Sequence, residues 1–183
     1  HLDTARAKGY TGKGVTIAII DGPVDVSVPE LAGANIVDKT PCSVEATGEL
    51  KTHGTSVASL LVSRDYGVVP DATLLSYQVL DPTSRVGDDC SFQNNLRLTD
   101  LSSLINHAIN DGASIINYSS STKAQGNDLK WAIARAMNQG VIITASVGNR
   151  ATDENSSHLS QWSGVVGVSA INTDGKFASY SSW

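Results

Sequence analysis

Apolar and polar positions along the chain alternate between two kinds of segment, short apolar runs and longer mixed stretches. Residues 15–20 are apolar at nearly every position, as in a parallel strand that is buried on both faces. Further strands are predicted at residues 73–79, 114–118, 141–145 and 165–170. Helices are predicted at residues 2–8, 53–63, 99–110 and 127–139, with Thr99 and Asn127 as N-caps and Gly140 as the stop of the last helix.

This order of elements predicts an α/β fold with three layers, in which a mostly parallel central sheet carries helices on both faces. No internal repeat and no low-complexity tract interrupts it. Active sites in such sheets collect at the carboxyl ends of the strands. Asp21 follows one predicted strand, Ser119 to Ser121 follow another, and Ser146 to Asn149 follow a third. We therefore expect these polar residues to meet at one edge of the sheet.

Length and charge limit the function classes further. With 183 residues, the chain is expected to form one domain with one substantial core. The net charge of −5 offers no basic surface for nucleic acid. No apolar run is long enough to span a membrane and no signal peptide is visible. The first residue is His1 rather than Met, which suggests processing or a fragment boundary.

The polar strand ends include residues suited to nucleophilic catalysis. A serine hydroxyl becomes a nucleophile when a base takes its proton, and histidine serves as that base near neutral pH. His53 is the candidate base. Asp21, 32 residues earlier and at a rigid strand end, is suited to orient the imidazole and to stabilise its charged form.

Three motifs in this order resemble the subtilisin-like serine peptidases, or subtilases. They are Ile19-Ile20-Asp21-Gly22, His53-Gly54-Thr55-Ser56-Val57-Ala58 and Ala145-Ser146-Val147-Gly148-Asn149. The resemblance implies a serine endopeptidase that forms an acyl-enzyme, with Asp21 and His53 in the triad and Asn149 facing the developing oxyanion. Ser56 imitates a nucleophile motif, but it belongs to the histidine motif, and one turn further along the same helix it cannot reach the carbonyl that His53 serves. We reject Ser56 as the nucleophile.

The same resemblance predicts that the nucleophilic serine lies beyond Trp183. Residues 1–183 are then a single incomplete catalytic domain, inactive alone, whose serine comes from a following segment or from a second chain. Two alternatives stay open: a non-catalytic protein that binds peptides in the same cleft, and a peptide-maturation protease or macrocyclase of the same family. The segment Asp21-Gly22-Pro23-Val24-Asp25 resembles the cyanobactin-maturation proteases. A dinucleotide-binding domain is disfavoured because no Gly-x-Gly-x-x-Gly follows the first strand.

Family resemblance also implies where a peptide or protein substrate binds. An extended peptide would lie between the segment after Val86 and the segment after Tyr118, adding itself as a strand. The substrate-binding residues expected on this basis are Gly87, Ser119, Ser120, Ser121 and Gly148. Serines at 120 and 121, where relatives commonly carry glycine, predict a narrower and more polar pocket wall.

Cysteine and acidic residues leave the cofactor question open. Cys42 and Cys90 could form a disulfide, which would suit an oxidising compartment and slightly favours secretion, or they could be two thiols. Many subtilases bind calcium, and Glu30 stands where relatives often carry an acidic ligand. The connection after Ser63 lacks their asparagine-rich ligand loop, so we assign no metal and no cofactor. The sequence does not indicate an oligomeric state.

Overall fold

A computed structural model describes residues 2–42, 44–45, 48–79, 85–86, 100–121, 123, 126–153 and 158–183. Its strands are β1 (Thr16–Asp21), β2 (Asn35–Asp38), β3 (Val44–Glu45), β4 (Thr73–Gln78), β5 (Arg85–Val86), β6 (Ile115–Tyr118), β7 (Ile142–Ser146) and β8 (Val165–Val168). Its α-helices are α1 (Leu2–Ala7), α2 (Glu49–Val62), α3 (Leu101–Asn110) and α4 (Asn127–Asn138). Two 3₁₀ turns, Pro29–Leu31 and Leu159–Gln161, complete the described elements.

Within the described residues, the central sheet has six strands in the order β2-β4-β1-β6-β7-β8, and all of their pairings are parallel. Strands β3 and β5 form a separate antiparallel pair. Helices cover both faces of the sheet, so the predicted α/β class with three layers is confirmed. Among the described residues, no helix is both long and apolar enough to cross a membrane.

Strand β1 explains why the described residues form two cores. Its side chains point alternately to the two faces of the sheet, as in any strand. Ala18 and Ile20 belong to the larger core, which includes residues of α3 and α4. Ile17 and Ile19 belong to a second core with α2. Residues 17–20 of the predicted apolar run are therefore buried on both faces of the sheet, and Val15 and Thr16 are half-buried.

Several predicted boundaries were wrong. Helix α2 begins at Glu49 rather than at His53, which puts His53 in the second turn of the helix. Helix α3 has Asp100 at its N-cap, and Thr99 lies outside the described residues. Gly126 occupies the N-cap of α4, so Asn127 is the first helical residue. Strand β8 ends at Val168, before Ala170.

The end of α4 follows its prediction more closely. The helix finishes at Asn138, Gln139 is its C-cap, and Gly140 follows with φ of 72°. This left-handed backbone conformation is open to glycine at little cost and turns the chain into β7.

Candidate active site

Asp21 is the last residue of β1, and its side chain is held inside the protein. The residue is 3% exposed. Its Oδ1 accepts a hydrogen bond of 2.7 Å from the backbone N–H of Gly22 and lies 2.7 Å from His53 Nδ1. Its Oδ2 is buried and has no hydrogen-bond partner in the described part of the chain. The carboxylate is thus fixed by its own strand end and directed at one imidazole nitrogen.

Helix α2 brings His53 to this carboxylate through a close approach of backbones. A Cβ on Gly54 would overlap the carbonyl group of Gly22, and a Cβ on Gly22 would overlap the carbonyl group of Leu50. Both positions therefore require glycine if α2 is to sit this near the end of β1. The side chain of His53 remains 50% exposed, so the ring is held at Nδ1 while much of its surface faces solvent.

The segment after β1 is tied to the same helix. The backbone N–H of Asp25 donates a 2.9 Å hydrogen bond to Thr55 Oγ1, and Lys51 Nζ lies 2.8 Å from Asp25 Oδ2. Lys51, followed by hydrogen bonds from Ser27, lowers the pKa of the Asp25 carboxyl to about 2. These contacts fix the position of the turn that follows Asp21.

A second group of polar residues lies at the ends of β6 and β7. A cleft of about 240 Å³ is lined there by Asn117, Ser119, Ala145, Ser146, Gly148, Asn149, Val168, Ser169 and Ala170. Gly148 has φ of 98°, and its N–H donates a 3.1 Å hydrogen bond to Ser146 Oγ. Its carbonyl accepts a 3.0 Å hydrogen bond from the N–H of Ser182, which holds the turn before Asn149.

Asn117 links two strands at the floor of this cleft. Its Oδ1 accepts a 2.9 Å hydrogen bond from Thr144 Oγ1, and its Nδ2 donates a 2.8 Å hydrogen bond to Ser119 Oγ. Ser119 is therefore positioned by the neighbouring strand as well as by its own.

The two groups emerge at the same edge of the sheet. β6 pairs directly with β1, with Asn117 opposite Ile19, two residues before Asp21. The structure thus brings Asp21 and His53 together, and it brings Ser119, Gly148 and Asn149 together in the adjacent cleft. Ser120 is half-buried and Ser121 is exposed, and neither lines the cleft. Gly87 lies outside the described residues.

Sequence reasoning missed several residues of the cleft. Ser146 was already among the strand-end residues expected at this edge, but Asn117 was not, although its position near the end of a predicted strand was a usable signal. Val168, Ser169 and Ala170 join the cleft because β8 lies next to β7. That neighbourhood depends on the order of strands, which no local pattern in the sequence specifies.

Ser56, which imitates a nucleophile motif, is engaged elsewhere. Its Oγ donates a 2.8 Å hydrogen bond to the carbonyl of Thr52, one turn earlier in α2. Within the described residues, the hydrogen bond of the His53 ring is the one to Asp21, and no serine hydroxyl joins it. This geometry agrees with excluding Ser56 as the attacking residue.

Comparison with known proteins identifies the family. A model of the subtilase family matches residues 12–183. The chain belongs to the subtilase family. Subtilisin amylosacchariticus from Bacillus subtilis subsp. amylosacchariticus is 29% identical over 188 residues, an alignment that covers 97% of this chain and 46% of the subtilisin. The minor extracellular protease Vpr of Bacillus subtilis (strain 168) is 34% identical over 160 residues, covering 77% of this chain and 18% of Vpr.

Solved structures of two proteases share the fold. The prenylagaramide maturation protease PagA is 26% identical, with a TM-score of 0.79 over 100% of this chain and 62% of PagA. A mutant of the protease domain of PatA is 26% identical, with a TM-score of 0.77 over 95% of this chain and 64% of that domain. This subtilase chain thus spans less than half of the subtilisin and under two thirds of these structures.

The described part of this subtilase chain contains one of its two cysteines and most of its candidate metal-binding side chains. Among the described residues, no group of three or more His, Cys, Asp or Glu side chains is arranged to hold a metal ion. Cys42 is buried and forms a disulfide. Cys90 lies outside the described residues.

Proposed function

We propose that the protein is a serine endopeptidase of the subtilisin type that cleaves peptide bonds through an acyl-enzyme. The observation that carries this proposal is the 2.7 Å contact between Asp21 Oδ1 and His53 Nδ1 at the carboxyl edge of the sheet. It holds one imidazole nitrogen on a carboxylate and leaves the other nitrogen, Nε2, for a serine hydroxyl. Membership of the subtilase family supports the same reaction.

Each residue has a defined role in this reaction. The serine oxygen attacks the carbonyl carbon of the peptide while His53 Nε2 takes the hydroxyl proton. Asp21 keeps the proton on Nδ1 and stabilises the imidazolium that forms. The amide of Asn149 donates a hydrogen bond to the oxyanion of the tetrahedral intermediate. His53 then gives its proton to the leaving amine, and water hydrolyses the acyl-enzyme.

We further propose that the serine is supplied from outside these 183 residues, by a following segment or a second chain. Two observations support this: the described residues place no serine hydroxyl on the His53 ring, and the hydroxyl of Ser56 is engaged with Thr52. Residues 1–183 would then be one incomplete catalytic domain. A peptide substrate would bind along the cleft that Ser119, Gly148 and Asn149 line, with Gly87, Ser120 and Ser121 as further proposed contacts.

Turnover of a peptide substrate by the protein carrying its serine tests the triad roles. Asp21→Asn and His53→Ala should each lower kcat by about 10⁴-fold or more, because the base loses its orientation or is absent. His107→Ala, a histidine on α3 away from the site, is the matched control and should leave kcat unchanged. Activity that survives His53→Ala at the level of the control would rule out the proposed base.

The oxyanion role of Asn149 has a separate test. Asn149→Ala should lower kcat by about 10²–10³-fold with little change in KM, since the amide interacts with charge that develops only in the transition state. Asn149→Asp keeps the size of the side chain but removes the donor, and it should behave alike. A change confined to KM would instead make Asn149 a residue that binds the substrate in its ground state.

A second candidate within the same chemistry is a peptide-maturation protease or macrocyclase. It is favoured by the likeness to PagA and PatA, which are both named as maturation proteases, and by the segment Asp21-Gly22-Pro23-Val24-Asp25. Mass spectrometry of the products distinguishes the outcomes. A product with a free carboxylate at the cleaved bond indicates hydrolysis. A product in which that carbonyl group forms an amide with an amine indicates transfer of the acyl group to the amine.

The remaining alternative is a peptide-binding protein without catalysis. A fluorophosphonate probe separates it from the enzyme, because the probe labels a serine that a neighbouring base activates. We expect stoichiometric labelling in the serine-containing protein and its loss in His53→Ala. Peptide binding without labelling would favour the non-catalytic alternative.

A further inference from the structure

Helix α2 lines a second cavity, separate from the face that carries His53. This cavity measures about 530 Å³ and lies between α2 and the segment that follows β1. Thr52, Ser56 and Ser59 line it from the helix, at the spacing that places side chains on one helical stripe. Glu30 and Tyr66 line it from the adjoining segments. None of these five residues has a role in the proposed reaction.

Four hydroxyl side chains of α2 line this cavity, and three of them, those of Thr52, Ser56 and Ser59, present acceptors to it. The fourth, Thr55 Oγ1, already accepts a hydrogen bond from the N–H of Asp25. Thr52 Oγ1 donates to the carbonyl of Gly48 at 3.2 Å, Ser56 Oγ donates to the carbonyl of Thr52 at 2.8 Å, and Ser59 Oγ donates to the carbonyl of Ser56 at 2.9 Å. Each hydroxyl has one hydrogen, so these bonds use up all three protons. The oxygen lone pairs remain available. A ligand that fits them must supply the hydrogens.

The charges at the cavity favour a cationic ligand. Lys51 and Asp25 also line it, but they are paired at 2.8 Å and neutralise each other. The low pKa of Asp25, about 2, keeps this pair ionised at neutral pH. Glu30 is exposed and forms no hydrogen bond or ion pair within the described residues, so its charge is uncompensated. The ring of Tyr66, which is 43% exposed, adds an aromatic wall.

We propose that this cavity binds an alkylammonium or alkylguanidinium group. The group would donate its N–H hydrogens to the Glu30 carboxylate and to the hydroxyl oxygens of α2, with its alkyl part against Tyr66. Asp25 is paired with Lys51, so Glu30 is the one lining carboxylate without an ion pair among the described residues. One such carboxylate among hydroxyls suits an N–H donor better than a divalent cation, which prefers several charged oxygens. The same chemistry is offered by a free amine and by the Lys or Arg side chain of a peptide.

Two-dimensional NMR of the isotope-labelled protein tests the proposal with n-butylammonium and n-butylguanidinium, and with n-butanol as the neutral control. We expect the amide signals of Thr52 and Ser56 to shift with either cation and not with n-butanol. Glu30→Gln should weaken binding about 10-fold or more, because a charge-assisted hydrogen bond is lost. Glu49→Gln, a carboxylate on the same helix outside the cavity, is the matched control and should bind as the wild type does.

The source of the cation is read from a second titration in the His53→Ala background, so that no peptide is cleaved. Blocked Gly-Lys-Gly is compared with blocked Gly-Leu-Gly and with putrescine. Tighter binding of the lysine peptide assigns the cavity to a peptide side chain, and tighter binding of putrescine assigns it to a free amine. The proposal is overturned if n-butanol binds equally, if Glu30→Gln binds as well as Glu49→Gln, or if only calcium shifts these signals.

Discussion

At the scale of single residues, two glycines decide whether the aspartate and the histidine can meet. Gly22 and Gly54 allow the end of β1 and the second turn of α2 to touch through their backbones. The hydrogen bond between Asp21 and His53 depends on this approach, because moving α2 away from β1 would lengthen the distance between Asp21 Oδ1 and His53 Nδ1. The two glycines of the motifs therefore allow the side chains of Asp21 and His53 to come within hydrogen-bond distance.

Gly54→Ala is expected to separate the two elements. The added Cβ would overlap the Gly22 carbonyl group, and such overpacking lowers the free energy of unfolding by about 1–3 kcal/mol even though alanine favours helix formation. Urea unfolding measures the change. Ser56→Ala, an exposed position on the same helix, serves as the control and should not destabilise the protein. Equal stability of the two variants would contradict the close approach.

Tyr77 leads to a prediction about alkaline pH. Its side chain is fully buried and its hydroxyl donates a 2.7 Å hydrogen bond to Asp111 Oδ2. Burial, and next the Asp111 carboxylate, raise the pKa of Tyr77 well above its ordinary value of 10.0. The unfolded chain then loses this proton first, so the stabilisation is complete below pH 10.0 and declines as pH rises above it.

Urea unfolding across this alkaline range, compared with Tyr77→Phe, checks the effect. The variant lacks the titrating group, so its free energy of unfolding should depend less steeply on pH than that of the wild type. Identical slopes would mean that Tyr77 does not contribute to the alkaline transition.

At the scale of elements, β1 carries the fold because both of its faces are packed. Ile19 and Ile20 are each 0% exposed but belong to different cores. Ile19→Ala and Ile20→Ala should each lower the free energy of unfolding by about 2–5 kcal/mol, through lost burial and the cavity that remains. Val26→Ala, at a position that is 61% exposed, is the control and should have little effect in the same denaturant titration. If only one of the two substitutions lowered the free energy of unfolding substantially, the face of β1 that carries the other isoleucine would not be packed.

The elements also show how far the sequence alone could lead. Strand β1 was predictable because a continuous apolar run is typical of a strand that is buried on both faces. Strand β2 was not predicted, since its residues are mostly exposed and only Ile36 is half-buried. The start of α2 was misplaced because Gly48, with φ of 67° and no side-chain cap, gives no N-cap signal.

The candidate site divides in the same way. Asp21, His53 and Asn149 could be proposed from motifs, because the types of these residues and their order along the chain indicate their chemical roles. The membership of Val168 and Ser169 in the cleft depends on which strand lies beside β7. The need for Gly22 and Gly54 depends on how closely α2 packs on the end of β1. Tertiary packing sets both, and local sequence patterns do not report it.

At the scale of the whole molecule, one side of the sheet exposes apolar surface. Strand β8 stands at the edge of the sheet in the described part of the chain, and Val166 is 52% exposed. Ile171 and Phe177, which pair in an isolated bridge beyond β8, are 66% and 54% exposed. An open strand edge beside apolar side chains is a template for association.

A protein consisting of these 183 residues should therefore self-associate through β8. Val166→Lys should reduce the association measured by sedimentation, because a charged side chain on an edge strand opposes pairing. Trp131→Lys, which removes a 73% exposed side chain from α4, is the control and should leave association unchanged. Monomeric behaviour of the wild type at all concentrations would contradict this role of the edge.

The order of the strands has a consequence for biosynthesis. β1 pairs with β4 on one side and with β6 on the other, and Ile17 meets Ile115 across the second pairing. During translation β1 leaves the ribosome long before β6 exists, so its apolar side chains lack one neighbour while most of the chain is still being made. Parallel pairings between distant segments also form slowly, because the intervening chain loses conformational entropy before the favourable contacts between the strands have formed. The nascent protein is consequently most open to chaperone binding and to misassembly at the strand that later becomes its best-buried element.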